Sequence, residues 1–178
     1  MNSMKACLKR SPMTFAQIEE YAQQIAQKYN FSPQKKSVRA FARELGGNIE
    51  VLEIPKIEQL HSGSLKVYGE NNFTIYLSPI TSALRDNFTI AHEMGHYFLH
   101  ILPSGLLTNE PFIEIGRHGE GILEQQANRF AAALLMPRNE FIEIAKQGEN
   151  LNALAGRFRV SVPAAQVRLE SLKKAGSI

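Results

Sequence analysis

From Ser82 to His100 the chain carries Phe88, Ile90, Ala91, Met94, Phe98 and Leu99 at positions that cover most of a helix's circumference. A helix apolar on nearly every side has to be buried. Inside this stretch stand His92, Glu93 and His96. Burying two imidazoles and a carboxylate without partners is costly, so whatever packs around this helix must also satisfy them. Four positions apart, the two imidazoles lie on one helix face about one turn from each other, close enough to grip a single ion. Glu93 projects about 100° round the axis from His92, which makes it no third ligand but lets it take a proton from an activated water.

A catalytic zinc site usually has three protein ligands and one open position, so a third ligand must come from elsewhere. In the astacin-like and matrix-protease arrangement it is a histidine six positions after the second one, with glycine three positions after; here those positions hold Leu102 and Leu99, which excludes that class. His100 is two turns from His92 and too far to share its ion, so it reads as a packed or surface histidine. Glu124 is the best candidate, because it opens a helix of its own and brings Asn128 onto the same face one turn later. Two histidines and a glutamate, with a second glutamate outside the set, form a thermolysin-type site. Asn128 can accept a hydrogen bond from a histidine Nδ1 so that Nε2 faces the metal. Asp86, Glu114, Glu120 and His118 compete with Glu124 for the third place. The oxyanion of a tetrahedral intermediate needs a donor besides the metal, and Tyr76, Arg117 and His118 are candidates.

The flanking sequence is predicted as follows. Thr14 and Gln17 form a capping box ahead of the apolar set Phe15, Ile18, Ala22, Ile25, Ala26 and Tyr29, which steps at helical spacing. A short helix with Val38, Phe41, Ala42 and Leu45 stops at Gly46-Gly47. Residues 48–54, 65–68 and 73–77 read as strands of a small, mainly antiparallel sheet, the last two joined through Gly69-Glu70-Asn71-Asn72. Residues 103–121, with six glycines and prolines, read as a long irregular loop. Helices follow at about 122–135, 138–146, 151–158 and 162–174. One α+β domain over 1–178 accounts for the chain: a lead-in at 1–13 expected to be flexible, N-terminal helices at 14–45, a catalytic core at 46–150 and a helix-turn-helix-like segment at 151–178.

The single cysteine, Cys7, supports neither a disulfide framework nor a thiolate cluster and points to a reducing compartment, the cytoplasm. No export signal or membrane span is legible. At 178 residues the chain can build a core without metal-driven folding, so a metal here would serve chemistry. Residues 1–45 hold eight basic and three acidic side chains, residues 46–150 seven and thirteen, and residues 151–178 five and one. Solvated helix faces give such counts as readily as a nucleic-acid surface does.

Two longer stretches, Phe88-Thr-Ile-Ala-His-Glu-Met-Gly-His96 with Tyr97-Phe-Leu-His100, and Glu124-Gln-Gln-Ala-Asn-Arg-Phe-Ala-Ala-Ala-Leu-Leu-Met-Pro137, closely resemble the ImmA/IrrE family of metallo-endopeptidases. Weaker likeness covers most of residues 38–170. The resemblance implies a minimal zincin-like fold, zinc (with manganese or iron able to occupy the same ligands) on His92, His96 and Glu124, and catalysis by Glu93. It also implies a substrate, a helix-turn-helix transcriptional repressor whose cleavage releases mobile-element or stress genes. Zincins commonly bind substrate as an added strand on a sheet edge, and Asn72 to Leu77 is expected to be that edge. Leu151 to Phe158, a turn through Ser161, and Pro163 to Leu172 with Gln166, Arg168, Lys173 and Lys174 outline a helix-turn-helix. Scaffold or repressor docking is the expected use, DNA contact the alternative. The competing functions are a non-catalytic DNA- or repressor-binding regulator and a toxin-like partner of a neighbouring antitoxin.

Overall fold

A computed structural model describes residues 8–53, 64–105, 107, 113–115 and 121–178, with backbone alone at 113–115. Thr14 opens α1 (Phe15–Lys28): its hydroxyl accepts from the Gln17 N–H at 3.3 Å while Gln17 Oε1 accepts from the Thr14 N–H at 2.9 Å. This is the expected capping box, and it satisfies two N–H groups that helix geometry leaves open. Ser37 caps α2 (Val38–Glu44) with its hydroxyl alone, which accepts from the Ala40 N–H at 3.2 Å. The chain leaves α2 through Gly46 at φ +81°, where any side chain would run into the Asn71 backbone.

The sheet is mixed and four-stranded, in the order β1-β3-β2-β4. β1 (Gly47–Val51) runs parallel to β3 (Asn72–Leu77), with Gly47 opposite Phe73 and Val51 opposite Leu77. β2 (Ser64–Gly69) is antiparallel to β3 and to β4 (Ile113–Ile115), with Leu65 opposite both Ile75 and Ile115. Two sequence expectations are corrected here. Asn72–Leu77 is no edge: β1 and β2 flank it, and among the described strands the edges are β1 and β4. The reason is visible in its burial, since Phe73, Thr74 and Ile75 are buried in succession, and a strand covered on both faces belongs inside a sheet. The supposed loop 103–121 contains β4, whose three residues are too few to show a period.

α3 (Ala83–His96) is buried without interruption from Thr89 to His96, as its apolar circumference requires. It continues as a π turn (Tyr97–Ile101) and a 3₁₀ turn that takes in Pro103. α4 (Ile122–Leu135) packs between α1 and α3, its Phe130 ring stacked on Phe98 with centres 5.7 Å apart. Phe73 of β3 meets Tyr97 at 4.6 Å, which ties the sheet to the end of the α3 helix. Each such fully buried side chain contributes about 1.5–3 kcal/mol.

α5 (Arg138–Lys146), α6 (Leu151–Arg157) and α7 (Val162–Lys174) complete the α+β fold. α7 is anchored by Arg168, which is 2% exposed, donates to the Met136 carbonyl at 3.2 Å and pairs with Glu19 of α1 at 2.7 Å. Arg129 of α4 reaches the same carboxylate at 2.9 Å. Burial would raise the Glu19 pKa, but the two guanidinium groups outweigh it and hold the carboxyl below its usual range. Among the described residues no helix is long and apolar enough to cross a membrane. The architecture is consistent with a minimal zincin-like fold: a small sheet lying on one buried helix, with a second helix laid against it.

Candidate metal centre

α3 carries His92 and His96 on adjacent turns, each 2% exposed, with ring centres 4.8 Å apart and Nε2 atoms 3.1 Å apart. The third group arrives because α4 crosses α3 at Gly95. A Cβ at position 95 would stand 3.0 Å from both the Cα and the carbonyl oxygen of Ala127, inside ordinary carbon contact distance of about 3.5–4.0 Å. Glycine therefore lets the two backbones touch, and Glu124, one turn before Ala127, is brought against the histidines. Its Oε2 lies 3.1 Å from His92 Nε2 and its Oε1 3.3 Å from His96 Nε2. Its place in the first turn of α4 also favours a negative charge.

Among the described residues, His92, His96 and Glu124 are the cluster that can hold a metal ion. The donor set fits one. Ligand atoms about 2.0–2.1 Å from a shared tetrahedral centre stand about 3.3 Å from each other, and the three separations here run from 3.1 to 3.3 Å. The chemistry agrees. His92 Nδ1 donates to Asn128 Oδ1 at 2.8 Å, so in the neutral ring Nε2 is bare and directs a lone pair at the carboxylate. Electron-pair donors pressed this close repel each other unless a cation sits among them. Two imidazoles and a carboxylate suit zinc, and manganese or iron can use the same set.

Asn128 therefore stands where the sequence places it, beside His92. Glu93 is 1% exposed on the same helix. Asp86 is elsewhere, bonded to Thr81 at 2.5 Å and 3.9 Å from Arg39. Of the remaining candidates, Glu114 has only its backbone described, and Arg117, His118 and Glu120 lie outside the described residues. Tyr76 is half-buried on β3, with Lys66 Nζ 5.5 Å from its ring centre.

Two residues, Gly95 and Gln126, escaped the sequence reading, and a third, read as a packed or surface histidine, proves to be packed against the site. His100 is 2% exposed, with Nδ1 3.1 Å from His96 Nδ1 and Nε2 3.1 Å from Gln126 Oε1. His100 follows His96 by four positions, the same spacing that pairs His92 with His96, and the helix passes here into the π turn. Burial is the main cause that lowers its pKa, to about 4, against the opposing hydrogen bond from Gln126. Gln126, 3% exposed, is in turn held by the backbone of Ser11. The signals were a third histidine at four-residue spacing and a polar residue on the buried stripe of α4.

A search of curated proteins finds no match to the chain. Residues 48–170, which span every strand but the first residue of β1 together with α3 and α4, match the peptidase family model described as the IrrE N-terminal-like domain. With that match added to two imidazoles and a carboxylate converging across α3 and α4, the chain belongs to the IrrE N-terminal-like family of peptidases.

Proposed function

We propose that this protein is a zinc-dependent endopeptidase in which His92, His96 and Glu124 hold the metal and Glu93 carries the proton. The observation that supports this most is the mutual 3.1–3.3 Å spacing of three inward-facing donor atoms, with a buried glutamate next to the first of them. A zinc ion held there supplies Lewis acidity, which polarises a peptide carbonyl and acidifies water. Glu93 accepts the proton of the attacking water and delivers it to the leaving amine nitrogen as the C–N bond breaks, so the carboxylate ends as it began. Asn128 keeps His92 turned with Nε2 inward. Tyr76, Arg117 and His118 are the candidate donors to the oxyanion.

The substrate backbone, in this reading, adds as a strand beside β4, the described edge that leads directly towards α4 and Glu124. The substrate itself is a helix-turn-helix transcriptional repressor in the cytoplasm, a reading that rests on the resemblance to the ImmA/IrrE family. The α6–α7 pair suits docking or scaffold better than DNA contact. Arg168 is buried, and the exposed residues of the first two turns of α7 are Val162, Pro163, Gln166 and Val167, which offer phosphate no cation.

The test is cleavage of the repressor encoded beside the gene, with metal content measured on the same samples. Wild type should cleave, and a chelator should stop it. Glu93→Gln should keep the metal and lose cleavage by at least 100-fold, in line with general-base contributions of about 10²–10⁴. His92→Ala and His96→Ala should lose both. Cleavage by Glu93→Gln at the wild-type rate would overturn the mechanism.

A further inference from the structure

A chain of buried polar contacts runs from the backbone of Ser11 through Gln126 and His100 to His96. Backbone groups have fixed polarity, since an N–H only donates and a C=O only accepts. Gln126 Nε2 lies 2.8 Å from the Ser11 carbonyl and Gln126 Oε1 lies 3.0 Å from the Ser11 N–H. The side-chain amide can satisfy both only in this orientation, because a flipped amide would face donor with donor and acceptor with acceptor. The Met13 carbonyl, 3.5 Å from the same Nε2, favours the same orientation.

The consequence travels along the chain of contacts. Gln126 Oε1 is an acceptor, so His100 Nε2, 3.1 Å away, must carry hydrogen. His100 is 2% exposed, and burial favours an uncharged ring, in which the other nitrogen is then bare. His100 Nδ1 is therefore an acceptor. His96 Nδ1, 3.1 Å from it, must be the donor, which leaves His96 Nε2 bare and facing Glu124 and His92. We infer that His100 and Gln126 are positioning residues of the metal centre: clamped by the Ser11 backbone, they hold His96 in its Nδ1–H tautomer and aim its Nε2 at the metal. Asn128 does this for His92 in one step; His96 receives it in three.

The inference builds on the proposed metal site, yet its primary test needs no metal. In nitrogen-detected NMR of histidine-labelled, metal-free wild-type protein at neutral pH, His96 should be protonated at Nδ1 and His100 at Nε2. Protonation of His100 at Nδ1, or of His96 at Nε2, overturns the inference even if zinc binds tightly. In Gln126→Leu the single His100 tautomer should give way to a mixture, and zinc affinity, read by competition with a chromophoric chelator, should fall about 10–100-fold, as it does when outer partners of metal-binding histidines are lost. His100→Phe should lower affinity similarly while the unfolding temperature of the metal-free protein is followed as a check on folding. A folded His100→Phe and Gln126→Leu that both bind zinc like wild type would refute the positioning role. Wild-type protein that shows the expected tautomers and takes up no zinc would instead refute the proposed function and leave this relay standing.

Discussion

Replacing Gly95 by alanine adds one methyl group at the point where α3 and α4 touch. That carbon would sit 3.0 Å from the Ala127 Cα and carbonyl oxygen and 3.3 Å from Phe130 Cβ, where contacts of about 3.5–4.0 Å are comfortable. None of these atoms is the tip of a flexible side chain, so the two backbones must part by about 0.5 Å. Overpacking of this kind costs about 1–3 kcal/mol, and alanine's better helix propensity returns about 1 kcal/mol. The net loss, about 0–2 kcal/mol, lowers the unfolding temperature by no more than about 8 °C at about 2–4 °C per kcal/mol. The metal should suffer more than the fold. Glu124 rides on α4 and the histidines on α3, so the same displacement opens the ligand triangle by more than the roughly 0.2 Å tolerance of metal–ligand distances. Zinc affinity should fall at least about tenfold, or 1.4 kcal/mol. Thermal unfolding of the metal-free protein and zinc titration against a chromophoric chelator separate the two effects. A Gly95→Ala protein that binds zinc within twofold of wild type would show that this close contact does not set the ligand spacing.

Asn128→Ala should leave the fold intact, since Asn128 is exposed, but weaken zinc binding about 10–100-fold by freeing His92; chelator competition reads it. Arg168→Ala leaves Glu19 with Arg129 alone and removes a buried guanidinium, so it should cost about 3 kcal/mol, measured by urea unfolding. Acidification should weaken the fold through Glu19. Its folded-state pKa lies below the ordinary 4.5, so its contribution is complete above that value and lost as pH falls through the folded value. A plot of unfolding temperature against pH below 4.5 should be flatter for Glu19→Gln than for wild type, and parallel profiles would exclude Glu19 as the source. Proline placed in β4 at 113, 114 or 115 should slow cleavage while retaining zinc at whichever position removes an outward N–H; if none of the three slows it, substrate is not added at this edge.

Most of the frame was legible because the residues that build it speak locally. The capping box at Thr14 and Gln17, the stop at Gly46 and the apolar circumference of α3 each specify a short-range geometry that packing later confirms. His92 and His96 were legible from their helical spacing, while Glu124 was preferred to Asp86, Glu114, Glu120 and His118 with the help of the resemblance to the ImmA/IrrE family. Strand order was not. Nothing local distinguishes Phe73–Leu77 as the centre of the sheet, because its neighbour β1 comes from 26 residues earlier and pairs parallel. β4 was lost for want of length. His100 was set aside because it stands two turns from His92, too far to share its ion; its role lies instead in the contact with His96, one turn away. Gly95 looked like filler between two ligands until the crossing with Ala127 gave it a purpose.

The convergence of α3 and α4 on one cation is tested most directly by growing crystals in zinc and recording anomalous diffraction at the zinc edge. One peak should appear about 2.0–2.2 Å from His92 Nε2, His96 Nε2 and a Glu124 carboxylate oxygen, with Glu93 beside it and outside the ligand set. A peak elsewhere, or none together with a Glu124 side chain turned away from the two imidazoles, would contradict the account.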